Sequence, residues 1–219
     1  MNKLFIFLGF VTSTLSILGV DVSSTPPIDA LKCLRDEGRT FIIGRAWKSY
    51  GAFDSNVLQT IKNSEAAGFS QSEIGVYMFP CFSQEKSAES QIRDMVAGLG
   101  DAHYSSIWLD METNPSPGCG WSQDFNLNCQ FTIQLVNAAK ASAPNKKIGI
   151  YASNYMWRQI MGGADKCFQF NQLPLWYAHY DMVPAFTDFS SFGGWATPYI
   201  KQYKGTTALC NASVDLNFK

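Results

Sequence analysis

The chain has 219 residues, 46% of them hydrophobic, and a formal net charge of −1. That length suits one domain with a sizeable core, and an α/β barrel is ordinary at this size. No basic block appears, so nucleic acid is not an expected partner. Six tryptophans and nine tyrosines in a chain with few charges supply core, ring faces for a sugar, or both.

The first residues, MNKLFIFLGFVTSTLSILG, set Lys3 ahead of an apolar run over 4–11, followed by small Ser13, Thr14 and Ser16. This is the pattern of a secretory signal peptide over 1–19, cleaved near 16–19, with an apolar run too short to span a membrane. The remainder, 20–219, is expected to be one catalytic barrel domain, monomeric and off the membrane once the leader is gone. Export to the medium or delivery to a lysosome or phagosome would both use this route.

From there strands and helices alternate. A short strand over 18–22 leads to a helix over 29–37, with Gly38 behind it. A β-rich run over 41–46 precedes a helix that Asp54 can cap, carrying Val57, Leu58 and Ile61 and closed by Gly68. A strand over 74–79 is followed by Ala88, Ile92, Met95, Val96 and Leu99 at helical spacing, ended by Gly100. Next come a strand over 106–110, a helix marked by Leu127, Phe131, Leu135 and Ala138 that stops before Pro144, a strand over 148–151, a short helix over 154–160 and a strand over 173–178. Helical patterning then gives out, and 194–196 and 199–203 read as late strands. Repeated strand–helix units imply a parallel sheet. About eight strands point to a TIM-like (β/α) barrel, irregular and short of helices in its last third. An open doubly wound sheet is the rival, weakened because no GxGxxG follows the first strand.

Six cysteines, Cys33, Cys81, Cys119, Cys129, Cys167 and Cys210, behind a leader suggest disulfides, and sequence alone does not choose among their pairings. Cys119 and Cys129 bracket the shortest loop, which makes that pair the cheapest to close. No CxxC occurs and His103 and His179 lie far apart, so no metal site is expected; no cofactor motif appears. Asn211-Ala212-Ser213 is a glycosylation sequon. His179 reads as a hydrogen-bonded core histidine.

In SSIWLDMETNP, the apolar run Ile107-Trp108-Leu109 ends in Asp110, with Glu112 one residue further. Barrel active sites lie at the C-terminal strand ends. Asp21 heads one such end, Asp110 and Glu112 another, and Asp215 is expected just after the last strand. Residues i and i+2 of an extended segment point to one side, so Asp110 and Glu112 can act on one bond.

The motifs GVDVSS (19–24), GVYMFP (75–80), IWLDMETN (107–114), IGIYAS (148–153), LWYAHY (175–180), KQY (201–203) and VDLNF (214–218), in this order, closely resemble the glycoside hydrolase family 25 lysozymes over essentially the whole mature chain, in a secreted, cysteine-containing form. The resemblance implies an N-acetylmuramidase acting on peptidoglycan glycan strands. It implies Glu112 as general acid, Asp110 as the carboxylate steadying charge through the substrate's N-acetyl group, Asp21 and Asp215 as flanking aspartates, and Tyr77, Tyr151, Trp176 and Gln202 as groove residues. Met78 stands where many bacterial members carry histidine.

The chemistry is also arguable from the residues. A glycosidic oxygen is a poor leaving group and needs a proton as its bond breaks. Neighbouring anions, here Asp21, Asp110 and Asp215, and an apolar wall from Trp108 and Trp176 would raise the Glu112 pKa and keep that proton available. Two rivals are a chitinase-like glycosidase and a non-catalytic glycan-binding protein. Ser106 and Trp108 break the DxxDxDxE run expected of the first, and the presence of Glu112 argues against the second.

Overall fold

The computed structural model describes residues 17–83 and 85–219, so the expected leader lies, up to residue 16, outside the described residues. Its elements in chain order are β1 (Leu18–Val22), α1 (Ile28–Asp36), β2 (Arg39–Lys48), β3 (Ala52–Phe53), α2 (Asn56–Ala66), β4 (Ile74–Met78), α3 (Ala88–Leu99), β5 (Ser106–Asp110), α4 (Phe125–Ser142), β6 (Lys147–Ala152), α5 (Asn154–Met161), β7 (Leu175–Ala178), β8 (Ile200–Leu209) and β9 (Ala212–Phe218). Eight strands close a barrel in the order β1-β2-β4-β5-β6-β7-β8-β9, with β9 returning to β1; β3 is a short flap on β2. All neighbours in the ring are parallel except β9, which runs antiparallel to both β8 and β1. The irregular α/β barrel expected from the alternation is therefore present.

The last third departs from the sequence reading. Residues 194–196 are not a strand: Phe192 and Trp195 form only an isolated bridge, where Gly193 and Gly194 both have positive φ (56° and 82°). The chain instead ends in a long hairpin, β8 to β9, turned at Cys210 and Asn211, both left-handed (φ 54° and 59°). Two consecutive left-handed residues suit the twist of a two-residue hairpin turn, and asparagine tolerates that conformation better than most residues. Asp215 consequently lies within β9 rather than after the last strand, paired in register with Asp21.

Asp54 caps the start of α2 from one residue ahead of Ser55, which makes no side-chain cap of its own. One oxygen of its buried carboxylate accepts from Asn56 N (3.3 Å), and the other pairs with Arg45 (2.9 Å).

Alternation along the strands divides the core in two. Ile107 and Leu109 of β5, and Val214 and Leu216 of β9, face out and pack against the helices. Phe41, Ile43, Trp108 and Trp176 face in and fill the barrel. Room for the large rings comes from inward-facing glycines: a Cβ at Gly149 would lie 2.3 Å from the Trp108 ring, and one at Gly19 would lie 2.4 Å from Phe41. Trp108 meets Trp176 edge-on at 5.8 Å. The barrel is thus plugged through its middle, which separates the polar groups of its C-terminal mouth from those of the opposite end.

The disulfides are Cys33–Cys210, Cys81–Cys119 and Cys129–Cys167. The short-loop pair Cys119–Cys129 does not form. Helix α4 starts at Phe125 and carries Cys129 toward the segment after α5, whereas Cys119 turns back onto the segment after β4. Cys33–Cys210 ties α1 to the closing hairpin across 177 residues of sequence. Constraining so long a loop in the unfolded chain gives this bond the largest entropic effect of the three. Replacing Cys33 and Cys210 together by serine should cost about 2–4 kcal/mol of unfolding free energy, more than removing either other bond. Urea unfolding of the three double-serine variants checks the ranking.

Candidate active site

The C-terminal mouth brings all eight residues singled out from the sequence around one cavity of about 100 Å³. Period-two alternation aims them there: Trp108 and Asp110 point inward on β5, and Asp215 and Asn217 on β9. Asp21 comes from β1, Tyr77 from β4, Tyr151 from β6, Trp176 from β7 and Gln202 from β8. Glu112 follows β5 by two residues and is half-buried at the rim, while Asp21 and Asp110 are buried. The opposite mouth holds a larger cavity of about 220 Å³, but its one acid, Glu73, is paired with Arg35, so the unpaired acids belong to the C-terminal end.

Gln202 organises the cavity. Its Nε2 donates to Asp21 Oδ2 (2.8 Å) and Asp215 Oδ2 (3.2 Å). Its Oε1 accepts from the hydroxyls of Tyr151 (2.6 Å) and Tyr180 (2.8 Å). Asn217 repeats the arrangement, donating to Asp21 Oδ2 (2.7 Å) and accepting from Trp176 Nε1 (2.7 Å). Thr206 N donates to Asp215 Oδ1. Asp110 differs: no protein donor reaches its buried Oδ1.

Glu112 is held through its backbone. Its carbonyl accepts from Trp121 Nε1 (2.7 Å). The segment beyond it is pinned by Asn114, whose Nδ2 donates to Ser49 O (2.7 Å) and Pro80 O (2.9 Å), and by Cys81–Cys119.

Burial raises every carboxyl in the cavity, and repulsion adds to it at Asp21, Asp110 and Glu112. Asp21 is pushed up to about 7, by burial first and then by Asp215, against the lowering effect of Asn217 and Gln202. Burial, then Glu112 and Asp21, hold Asp110 well above the usual range. Glu112 is raised by burial and then by Asp215, so Asp215, rather than the adjacent Asp110, is the anion that acts most on it. Asp215 is itself raised by burial. Tyr77 and Tyr151 are held well above 10 chiefly by burial and stay neutral donors.

Several expectations change. Trp176 is only 2% exposed and packed among aromatic neighbours, so it floors the cavity rather than offering a free ring face. Trp108 lies deeper and is not part of the cavity wall. Met78 is buried in the outer shell, turned from the cavity. His179 is exposed, not in the core, and its Nδ1 lies 2.5 Å from Asp188 Oδ2. With Asp181 these two residues have the spacing of metal ligands, but Lys201 Nζ sits 2.7 Å from each aspartate and supplies the cation itself. Tyr180 was missed. Its ring is 57% exposed at the cavity edge, two residues past β7. Its place at a C-terminal strand end, closing the LWYAHY motif, was the available signal.

Comparison with known proteins bears on the family and the fold. A family model described as Lysozyme-like protein 1 matches residues 12–203. The chain is 40% identical to Probable GH family 25 lysozyme 2 of Dictyostelium discoideum, over 93% of this chain and 91% of that one. It is 33% identical to Probable GH family 25 lysozyme 5 of the same organism, over 100% and 97% of the two chains. Among solved structures, the bacterial lysozyme from Streptomyces coelicolor shares the fold with a TM-score of 0.74 at 21% identity, covering 93% of this chain and 92% of that one.

The raised carboxyls make the cavity a liability at neutral pH. Glu112 is raised from 4.5, so above about pH 4.5 the folded chain holds a proton that the unfolded chain has released, and stability falls as pH rises through this window. Glutamine carries no charge to repel. Glu112→Gln should therefore show no advantage in melting temperature near pH 4 and an advantage of a few degrees by about pH 8. Calorimetry of both proteins across that range checks it; an advantage largest at the acid end would contradict the electrostatic account.

Proposed function

The chain belongs to the family 25 glycoside hydrolases, the lysozyme family, and from that premise we propose that it cleaves the β-1,4 bond between N-acetylmuramic acid and N-acetylglucosamine in bacterial peptidoglycan, with Glu112 as general acid. The observation that carries this reading is the convergence of four carboxyls on one cavity, with Asp21 and Asp110 buried and Glu112 half-buried at its rim just past β5. A donor must reach the scissile oxygen and keep its proton near working pH. Position gives Glu112 the reach, and burial together with Asp215 gives it the proton.

Asp110 has the complementary part. Its Oδ1 is buried at the cavity with no protein donor. An N-acetyl amide N–H of the substrate supplies that donor and favours the carboxylate form. The anion then steadies the N-acetyl group as its carbonyl oxygen closes on the anomeric carbon, while Glu112 passes its proton to the departing oxygen. In the second step water opens the cyclic intermediate, and the Glu112 carboxylate takes the proton that water gives up. Asp21 and Asp215, tied together by Gln202, keep the field negative around the developing cation.

The bonding bears on the place of action. Three disulfides form and require an oxidising route. No helix among the described residues is long and apolar enough to cross a membrane. With the leader-like start, these support export or delivery to a lysosome or phagosome, where the enzyme would digest or kill bacteria. Ile17 N donates to Lys219 O (3.2 Å), so a cut ahead of residue 17 preserves every rung of β1.

Glu112→Gln keeps the shape and removes the proton donor, and should lower turbidity clearing of a peptidoglycan suspension by about 10² to 10⁴. A variant retaining a tenth of wild-type turnover would remove Glu112 from this role. The alkaline limb of kcat/KM on a soluble peptidoglycan fragment reports loss of the Glu112 proton within the coupled cluster. Asp215→Asn deletes the anion that most raises Glu112, so this limb should move to lower pH. A limb that stays put, or moves up, would show that Asp215 does not tune the acid.

A further inference from the structure

Residues 179–199 join β7 to β8 where most other parallel strands are joined through a helix. Something else must seat this strap. Lys201 on β8 pairs in register with Tyr177 on β7, and both face out of the barrel, since Trp176 and Gln202 face in. The Lys201 side chain has no exposure at all. Its Nζ donates to Asp181 Oδ2 (2.7 Å), Asp188 Oδ1 (2.7 Å) and Ala185 O (3.0 Å), which uses all three ammonium protons. Asp188 Oδ2 also accepts from Tyr177 OH (3.1 Å). An ammonium this deep is tolerable only with these partners in place, so it specifies where the strap lies.

Tyr180 sits inside that harness. On one side His179 N donates to Gln202 O (3.0 Å); on the other Met182 N donates to Tyr203 O (3.0 Å). Met182 is left-handed (φ 64°), a conformation a methionine holds only where its surroundings impose it. The Tyr180 hydroxyl reaches Gln202 Oε1, and its ring lies across Gly205, where a Cβ would come within 3.2 Å. The residue is more than half exposed and lines the carboxyl cavity.

We propose that Lys201 is a positioning residue for substrate binding: its ion pairs to Asp181 and Asp188 seat the strap on the barrel and thereby fix Tyr180 as a wall against which a pyranose ring packs. The choice of ligand rests on the muramidase reading; the seating of the strap rests on geometry alone.

The test compares Lys201→Met, Asp188→Asn, Tyr180→Ala and the two doubles with Tyr180→Ala. It reads KM and kcat on peptidoglycan, titration with soluble N-acetylglucosamine tetramer, and amide hydrogen exchange. Lys201→Met should raise KM and the tetramer Kd about tenfold with kcat within about threefold. Exchange should rise across 179–188 and not in β5 or β6. Tyr180→Ala should raise KM similarly without loosening the strap, and Lys201→Met/Tyr180→Ala should be no worse than Tyr180→Ala, because the lysine acts through the tyrosine. A folded Lys201→Met with unchanged KM, or a double whose effects add, overturns the proposal. Should Lys201→Met fail to fold, Asp188→Asn and its double carry the same comparison, since Asp181 still holds the lysine. Absence of wild-type turnover sinks the muramidase reading instead, and tetramer titration with exchange then decides the role of Lys201.

Discussion

Four carboxyls share one small cavity, and no cation lies among the residues that line it. That arrangement is the constraint to which the rest of the barrel mouth answers. Like charges facing each other across a strand pair are destabilising, yet Asp21 and Asp215 are paired in register. Gln202 makes the pairing tolerable with an amide rather than a charge. Its two donors go to the two aspartates and its carbonyl to two tyrosine hydroxyls, which fixes the amide in a single orientation. An arginine or lysine there would neutralise the aspartates and drain the negative field. A neutral bridge lowers Asp21 only in part, so burial and Asp215 still push it up to about 7, and Asp215 remains to raise Glu112.

The antiparallel β9 follows from the same requirement. Asp215 and Asn217 are two residues apart and so face the same way, and their strand closes the ring between β8 and β1. Closure by a hairpin puts Asp215 directly opposite Asp21 without another crossover helix. The hairpin turn is in turn fastened to α1 by Cys33–Cys210, so the bond that most restricts the unfolded chain also holds the strand that completes the acid cluster. Below, Trp108 and Trp176 seal the barrel, keeping the acids in a pocket poor enough in solvent for burial to be the leading cause of every carboxyl shift.

Much of this was legible in the sequence because it is carried by local pattern. Strand ends mark the mouth, alternation sets which side chains face in, and Asp21, Asp110 and Glu112 fall where both rules agree. What was hidden is non-local. Asp215 seemed to trail the last strand because β9 directly follows a two-residue turn with no helix to announce it. The Cys119–Cys129 expectation rested on closure distance along the chain, whereas the start of α4 decides which way each cysteine is carried. His179 looked like a core histidine because it follows the apolar run of β7; the strap that exposes it is positioned by Lys201, a residue whose burial no periodicity reveals. Tyr180 escaped for the same reason, since its place at the cavity depends on that strap.

The cavity's protons are better assigned to the cluster than to its members, and their distribution separates the roles of Asp110 and Glu112. Both are raised, but by different surroundings. Asp110 is enclosed, with one oxygen that the protein leaves without a donor, so its proton affinity is highest while that oxygen is unsatisfied and falls when an amide N–H meets it. Glu112 stands at the rim and is raised by burial and by Asp215, neither of which an N-acetyl group at Asp110 relieves. Under the proposed mechanism substrate binding therefore acts on the two acids unequally: it would release the proton of the buried carboxyl and leave that of the rim carboxyl in place. The new anion at Asp110 repels Glu112 further toward its protonated form. A symmetric pair of acids would have no such preference. The asymmetry that the proposed mechanism uses, one residue as proton donor and the other as charge stabiliser, is built from depth in the barrel and from a single missing hydrogen-bond donor.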